Sequence, residues 1–144
     1  MIYIDPSCLV KILRPERESP AVVEAIGRES AVLVSVLTEI ETLVQLKAFH
    51  LGGEYSRPRW RKLETQFSML RNQPPFEFRP LASTVYQTAL RQHRNAGDVH
   101  CRTLDRLHLA AMEELRVTRL MTHDERQANA AVKAGFQVTR PGRD

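Results

Sequence analysis

The chain has 144 residues, of which 42% are hydrophobic and 26% charged, a composition that is typical of a folded globular protein and excludes a disordered one. Its 21 basic side chains outnumber 17 acidic ones, and the formal charge of +4 fits a polyanionic partner without identifying one. Because no repeat or linker divides the sequence, we expect a single domain over residues 1–144.

Features that would indicate a membrane or secreted protein are missing from the sequence. No apolar run approaches the roughly 18 to 20 residues that a membrane-spanning helix needs, so we expect no membrane partner. The two cysteines, Cys8 and Cys101, are too few for a disulfide framework. Since no signal peptide is recognisable at the N-terminus, we expect a cytoplasmic protein with both thiols free.

Short apolar, β-branched runs alternate with segments of helical periodicity along the chain. This pattern predicts strands at 2–4, 31–34, 76–81, 119–122 and 136–138, the third of them at a sheet edge. It predicts helices over about 8–13, 20–28, 36–51, from Pro58 to a stop at Pro74-Pro75, and over about 83–94, 104–115 and 125–134. Strands separated by helices form mostly parallel sheets covered on both faces. We therefore expect a three-layer α/β fold around a five-stranded, mostly parallel sheet.

Four acidic residues are predicted at one edge of that sheet. Asp5 directly follows the first strand and Asp124 comes just after the fourth, where sheets of this kind bind ligands. Glu41 lies early in the helix after the second strand, and Asp105 lies near the start of the helix before the fourth. Converging carboxylates repel one another unless a cation lies among them. Oxygen ligands alone favour Mg²⁺ or Mn²⁺, since zinc prefers Cys and His.

Helix capping is a competing interpretation of the same residues. Asp5 and Asp124 could each cap the helix that follows, and Asp105 could merely complement a helix dipole. Periodicity also leaves Glu39 and Glu41 equivalent, because at about 100° per residue they flank the apolar face of their helix on opposite sides. The residues alone leave these alternatives open.

Four segments resemble, in order, the four motifs of PIN-domain proteins. They are YIDPSCLV at 3–10, SVLTEIE at 35–41, LDRLHLA at 104–110 and THDER at 122–126. The resemblance covers essentially the whole chain and is closest to the toxins of the VapBC toxin–antitoxin type. In that family the glutamate follows the Ser/Thr of the second motif by three residues, which corresponds to Thr38 and Glu41 here, with Glu39 as the alternative.

The resemblance implies a metal-dependent endoribonuclease that acts as a toxin. The residues implied to hold Mg²⁺ or Mn²⁺ are Asp5, Glu41, Asp105 and Asp124. Ser7 and Thr122 are implied to support them with hydroxyl groups. The implied partners are RNA, a second copy of the chain, and a cognate antitoxin whose C-terminal segment covers the active site, often with an arginine at the acidic cluster.

Two positions depart from the usual family pattern without removing a carboxylate. Pro6 stands where a small polar residue is more common, and Arg106 where alanine is common. Arg106 could contact a phosphate or simply point to solvent. We expect His108, which shares a helix face with Asp105, to be packed or hydrogen-bonded rather than a proton carrier.

A tryptophan lies among basic residues in the predicted fourth helix. Trp60 could stack on a base while Arg57, Arg59, Arg61 and Lys62 neutralise phosphates. Its place in an apolar stripe with Leu63 and Phe67 favours the core, although the stripe could also bind a partner.

Two other functions are compatible with parts of this pattern. A catalytically silent module that binds RNA or protein would keep the fold without cleaving. An aspartyl phosphatase with Asp5 as nucleophile is disfavoured, because that chemistry normally needs a second aspartate two residues on, where Ser7 stands.

Overall fold

A computed structural model describes residues 1–143; Asp144, the last residue of the predicted domain, lies outside the described residues. The strands are β1 (Ile2–Ile4), β2 (Val32–Ser35), β3 (Phe76–Arg79), β4 (Arg119–Met121) and β5 (Gln137–Thr139). The helices are α1 (Pro6–Leu13), α2 (Ser19–Gly27), α3 (Val36–Leu51), α4 (Arg57–Met69), α5 (Thr84–Asn95), α6 (Thr103–Glu114) and α7 (Glu125–Lys133). A 3₁₀ turn, Leu70–Asn72, follows α4. None of these helices is long and apolar enough to cross a bilayer.

The strands form one sheet in the order β3-β2-β1-β4-β5, and every neighbouring pair is parallel. This confirms the α/β class and the edge position of β3, and the sheet is fully rather than mostly parallel. The chain builds outwards from β1 through β2 to β3 and then returns to the other side of β1 with β4. The strand order therefore reverses between β1 and β4, which is where sheets of this kind bind ligands.

Two apolar clusters cover the two faces of the sheet, as predicted. Alternate side chains of β1 face opposite sides, so that Ile2 and Ile4 join one cluster and Tyr3 the other. Trp60 packs in the first cluster and stacks on His50, with ring centroids 5.0 Å apart. The core interpretation of Trp60 is therefore confirmed.

The predicted bounds differ from the observed ones by a few residues at several ends. Helix α1 begins at Pro6 rather than near residue 8, because proline suits the first helical position, where no N–H is needed. Strand β3 ends at Arg79 rather than 81, because Pro80 cannot donate to the sheet.

Helix α3 exposes part of its apolar face. Val36, Ile40 and Val44 are 46%, 58% and 62% exposed and lie one turn apart. The buried side instead contains Thr38 and Thr42, whose hydroxyls donate to the backbone carbonyls of Ile4 and Thr38 at 3.0 and 2.7 Å. We call the three exposed residues the α3 stripe.

Candidate active site

Asp5 connects β1 to α1 and is almost fully buried. Its Oδ1 accepts hydrogen bonds from the backbone N–H of Ser7 at 2.9 Å and from the Ser7 hydroxyl at 2.5 Å, which caps the helix. Burial raises the pKa of Asp5 to about 6, although the hydrogen bonds from Ser7 oppose the rise. The ionised carboxylate is thus held at an energetic cost where the strand order reverses.

Asp124 caps α7 in the corresponding loop after β4. Its Oδ1 accepts the backbone N–H groups of Arg126 and Gln127 at 2.8 and 3.1 Å, while its Oδ2 accepts from Nη2 of Arg102 at 2.6 Å. Partial burial opposes ionisation, but the bonds from Gln127 and Arg102 outweigh it and lower the pKa of Asp124. This carboxylate is ionised and already paired with a cation.

Two hydroxyl groups join the loops that carry Asp5 and Asp124. The Ser7 Oγ accepts the backbone N–H of His123 at 2.7 Å and lies 3.3 Å from the Thr122 Oγ1. Thr122 in turn accepts the backbone N–H of Asp124 at 3.0 Å. Ser7 and Thr122 therefore fix the distance between the two acidic loops.

Asp105 enters the same place from the first turn of α6 and pairs with Arg102. The Nε of Arg102 donates to Oδ2 of Asp105 at 2.6 Å, and Nη2 donates to Oδ1 at 3.1 Å. Since Nη2 also bonds Asp124, one guanidinium bridges two carboxylates and the pKa of Arg102 is raised by both. Arg102 thus supplies the positive charge that the acidic cluster requires.

Glu41 is held by a chain of buried hydrogen bonds. Its Oε1 lies 2.5 Å from Nε2 of His108, whose Nδ1 lies 2.7 Å from the Tyr3 hydroxyl. Burial raises the pKa of Tyr3, so its hydroxyl stays protonated and can donate to Nδ1. The tautomer in which Nδ1 accepts from Tyr3 leaves the N–H of Nε2 to donate to Glu41. His108 is 1% exposed, which confirms the packed, hydrogen-bonded histidine.

The four predicted carboxylates line one cleft of about 370 Å³. They are Asp5, Glu41, Asp105 and Asp124. Glu39 points away from this cleft and pairs with Arg71 on the outer surface. The fold therefore brings together the four residues that the resemblance selected and separates Glu39 from them.

Comparison with known proteins places this arrangement in a family. The model of the PIN domain matches residues 2–133. The chain belongs to the PIN domain family. It is 29% identical over 148 residues to Ribonuclease VapC35 of Mycobacterium tuberculosis, covering 99% of this chain and 98% of that protein.

Solved PIN-domain structures share the fold at low sequence identity. The sarcin-ricin loop cleaving toxin VapC20 of Mycobacterium tuberculosis has a TM-score of 0.72 at 14% identity, covering 98% of this chain and 100% of that one. A toxin–antitoxin complex from Klebsiella pneumoniae has a TM-score of 0.66 at 16% identity, covering 98% of both chains. These likenesses establish the three-layer fold around the parallel sheet.

The donor set of this PIN domain fits a hard divalent cation in its chemistry. All four side chains offer carboxylate oxygens, which suit Mg²⁺ or Mn²⁺. In the conformation seen, no three Asp, Glu, His or Cys side chains among residues 1–143 are placed to hold one ion. In the same conformation the guanidinium of Arg102 lies on Asp105 and Asp124.

Two further residues of the cleft were not predicted from the sequence. Arg102 is the residue just before α6 and precedes Asp105 by three positions, a spacing that is a weak signal common to many surface ion pairs. Gln127 follows Asp124 by three residues, is 2% exposed and lines the cleft. Its Nε2 is buried and has no hydrogen-bond partner within residues 1–143.

Proposed function

We propose that this PIN domain, residues 1–144, is an endoribonuclease that uses Mg²⁺ or Mn²⁺ bound by Asp5, Glu41, Asp105 and Asp124. The observation that carries the proposal is the convergence of four carboxylates in one cleft where the strand order reverses. A bound divalent ion supplies an activated water and neutralises charge at the phosphorus centre. Helix capping alone does not explain why carboxylates from four separate segments meet in one cleft, whereas metal binding does.

The protein's own groups prepare the cleft for a phosphodiester. Ser7 and Thr122 hold the two acidic loops at a fixed separation. His108 orients Glu41 through the hydrogen bond that Tyr3 completes. The amide of Gln127 is available to donate to a phosphate oxygen.

We further propose that the substrate is RNA and that the protein is the toxin of a pair, active in the cytoplasm until an antitoxin blocks it. The relative VapC35 is named a ribonuclease, and the structural neighbour VapC20 is described as a toxin that cleaves the sarcin-ricin loop. The Klebsiella neighbour is a toxin–antitoxin complex. These names support the assignment of substrate class and partner.

The proposal is tested by metal removal. Purified protein is expected to cleave RNA in Mn²⁺, to stop when a chelator is added and to resume when Mn²⁺ is restored. The matched control is the double variant Asp5→Ala, Asp105→Asn, purified in parallel and assayed by gel electrophoresis of labelled RNA. Equal cleavage by the wild type and the double variant contradicts the assignment.

A catalytically silent binding module is the second candidate, and Arg102 is the observation that favours it. Its guanidinium already neutralises Asp105 and Asp124, as it would in a protein that never binds metal. Such a module binds RNA or a partner equally well with and without Mn²⁺ and shows no cleavage. The metal-removal experiment therefore separates the two candidates.

We also propose that two copies associate through the α3 stripe. Apolar side chains exposed on three successive turns form a patch that water disfavours. Ile40→Asp places a charge at its centre and is expected to convert a dimer into a monomer in gel filtration with light scattering. Val23→Asp is the matched control, because Val23 is 56% exposed on α2. A wild-type monomer at high concentration, or dissociation by both variants, contradicts the proposal.

A further inference from the structure

A largely buried arginine next to the acidic cleft has a guanidinium nitrogen without an acceptor among residues 1–143. Arg106 follows Asp105 in α6 and is only 7% exposed, so it does not point to solvent. Its Nε is buried and has no acceptor within residues 1–143. A buried charge normally has a hydrogen-bonded counterion, because removing it from water is otherwise costly. The missing counterion points to a ligand.

Arg106 lines a cavity of about 350 Å³ between α5, α6 and α7. Among residues 1–143, the cavity is lined by three cationic side chains, Arg91, Arg106 and Lys133, and by one carboxylate, Glu113. That carboxylate is already paired with Arg91 and accepts from Gln92 at 2.8 Å. The surplus positive charge therefore remains available to an anion.

A second unsatisfied atom lies in the same cavity. The Oε1 of Gln92 is buried and receives no hydrogen bond from residues 1–143, although its Nε2 donates to the backbone oxygen of Leu109 at 3.2 Å and to Glu113. Two residues that line the cavity, Arg106 and Gln92, thus carry a buried donor and a buried acceptor that have no partner within residues 1–143. A nucleotide can satisfy both, because it carries phosphate oxygens together with hydroxyl and amino donors.

A third hollow lies between the cavity and the acidic cleft. This hollow of about 220 Å³ shares Lys133 with the cavity and shares Arg102 and Asp105 with the cleft. The same hollow adds the cationic side chain of Arg126. A row of cationic groups therefore runs from Lys133 to the carboxylates. An RNA strand that lies along this row carries one negatively charged phosphate per nucleotide, which such groups can neutralise.

We propose that this cavity is a phosphate subsite for the RNA strand, adjacent to the scissile bond. The subsite rests on the proposed endoribonuclease function and deepens it. Arg106 binds a phosphodiester oxygen with its planar guanidinium, and Lys133 adds a second positive charge at the rim. The subsite aligns the strand so that the next phosphate lies over the four carboxylates.

The test measures RNA binding separately from cleavage. A labelled, mixed-sequence single-stranded RNA is titrated in chelator and followed by fluorescence anisotropy. Arg106→Met and Lys133→Gln are each expected to raise the Kd by about tenfold, the loss of one charge-assisted hydrogen bond. Affinity falls as salt rises, and each variant is also expected to make the slope of log affinity against log salt less steep by about 0.7. Arg28→Gln is the control, because Arg28 is an exposed cation at the opposite edge of the sheet.

Stability separates a binding role from a structural one. Arg106→Met keeps a flexible apolar chain as long as the aliphatic stem of arginine and removes a largely buried charge, so its resistance to urea is expected to equal or exceed that of the wild type. Lys133 is exposed, and its replacement tests the subsite without any change in the core. A loss of RNA affinity without loss of stability supports the subsite.

The remaining outcomes overturn it. The subsite is contradicted if both variants keep the affinity and salt slope of the wild type, or if Arg28→Gln loses as much affinity as they do. In either case, cleavage of RNA by the wild type still supports the proposed endoribonuclease function. A variant that binds RNA normally but loses its protein partner shows that a carboxylate of that partner fills the cavity. A wild-type protein that neither binds nor cleaves RNA contradicts the subsite and the proposed function together.

Discussion

Replacing Glu41 with glutamine is expected to lower the rate of RNA cleavage by at least about 100-fold, whereas the same change at Glu39 keeps it within about twofold of wild type. Substitutions around the ligands of metal sites already cost about 10- to 100-fold, and Glu41 is proposed as a ligand itself. Glu39 pairs with Arg71 outside the cleft. Cleavage of a labelled RNA at saturating Mn²⁺ measures both rates.

The two variants form a matched pair. Each removes one carboxylate from α3 and keeps the side-chain length, and the two side chains have similar exposure, 30% for Glu41 and 25% for Glu39. Calorimetric titration with Mn²⁺ gives a second readout, in which only Glu41→Gln is expected to bind more weakly. A loss of cleavage confined to Glu39→Gln would mean that Glu39, and not Glu41, is the ligand. Wild-type cleavage rates in both variants would mean that Glu41 does not act in the site.

Periodicity was enough to predict that Asp5 and Asp124 lie near each other. The short segments Ile2–Ile4 and Arg119–Met121 were each predicted as strands of a mostly parallel sheet, and the residues that follow such strands meet at one edge. The choice between capping and a cleft position, which the sequence left open, is not exclusive. Asp124 caps α7 with Oδ1 and presents Oδ2 to Arg102, so one carboxylate does both.

Contacts between distant segments could not be read from the sequence. Nothing in the sequence around α6 indicates that Arg102 reaches Asp124, because the two residues precede α6 and α7 respectively, are 22 positions apart and meet only in the folded protein. A charged residue on a helix is usually exposed, and composition alone cannot identify an exception. The burial of Arg106 is such an exception and contradicts the solvent-facing alternative.

The orientation of α3 was also beyond pattern analysis. Hydropathy ranks the valines and the isoleucine of the α3 stripe above threonine and therefore favours their burial. The structure buries Thr38 and Thr42 instead, because backbone carbonyls accept their hydroxyl protons and remove the cost of desolvation. The buried face of α3 therefore combines these two threonines with the apolar Leu46.

Asp5→Asn is expected to stabilise the metal-free protein by up to about 3 kcal/mol at pH 8, even as it removes a proposed metal ligand. Burial raises the pKa of Asp5 from 3.8 to about 6 in the folded state, so between these values the folded protein binds more protons than the unfolded chain. Stability therefore falls as the pH rises from about 4 to about 6, and the cost persists above that range.

Asparagine removes this cost because it does not ionise, and its oxygen can still accept from Ser7 and cap α1. Urea unfolding in chelator is expected to show the gain at pH 8 and to show it shrink below about 1 kcal/mol at pH 4. Added Mn²⁺ is expected to reverse the order, because only the wild type gains stability from binding the ion. A gain that is equal at both pH values contradicts the raised pKa. Equal stabilisation of both proteins by Mn²⁺ means that Asp5 caps a helix without holding metal.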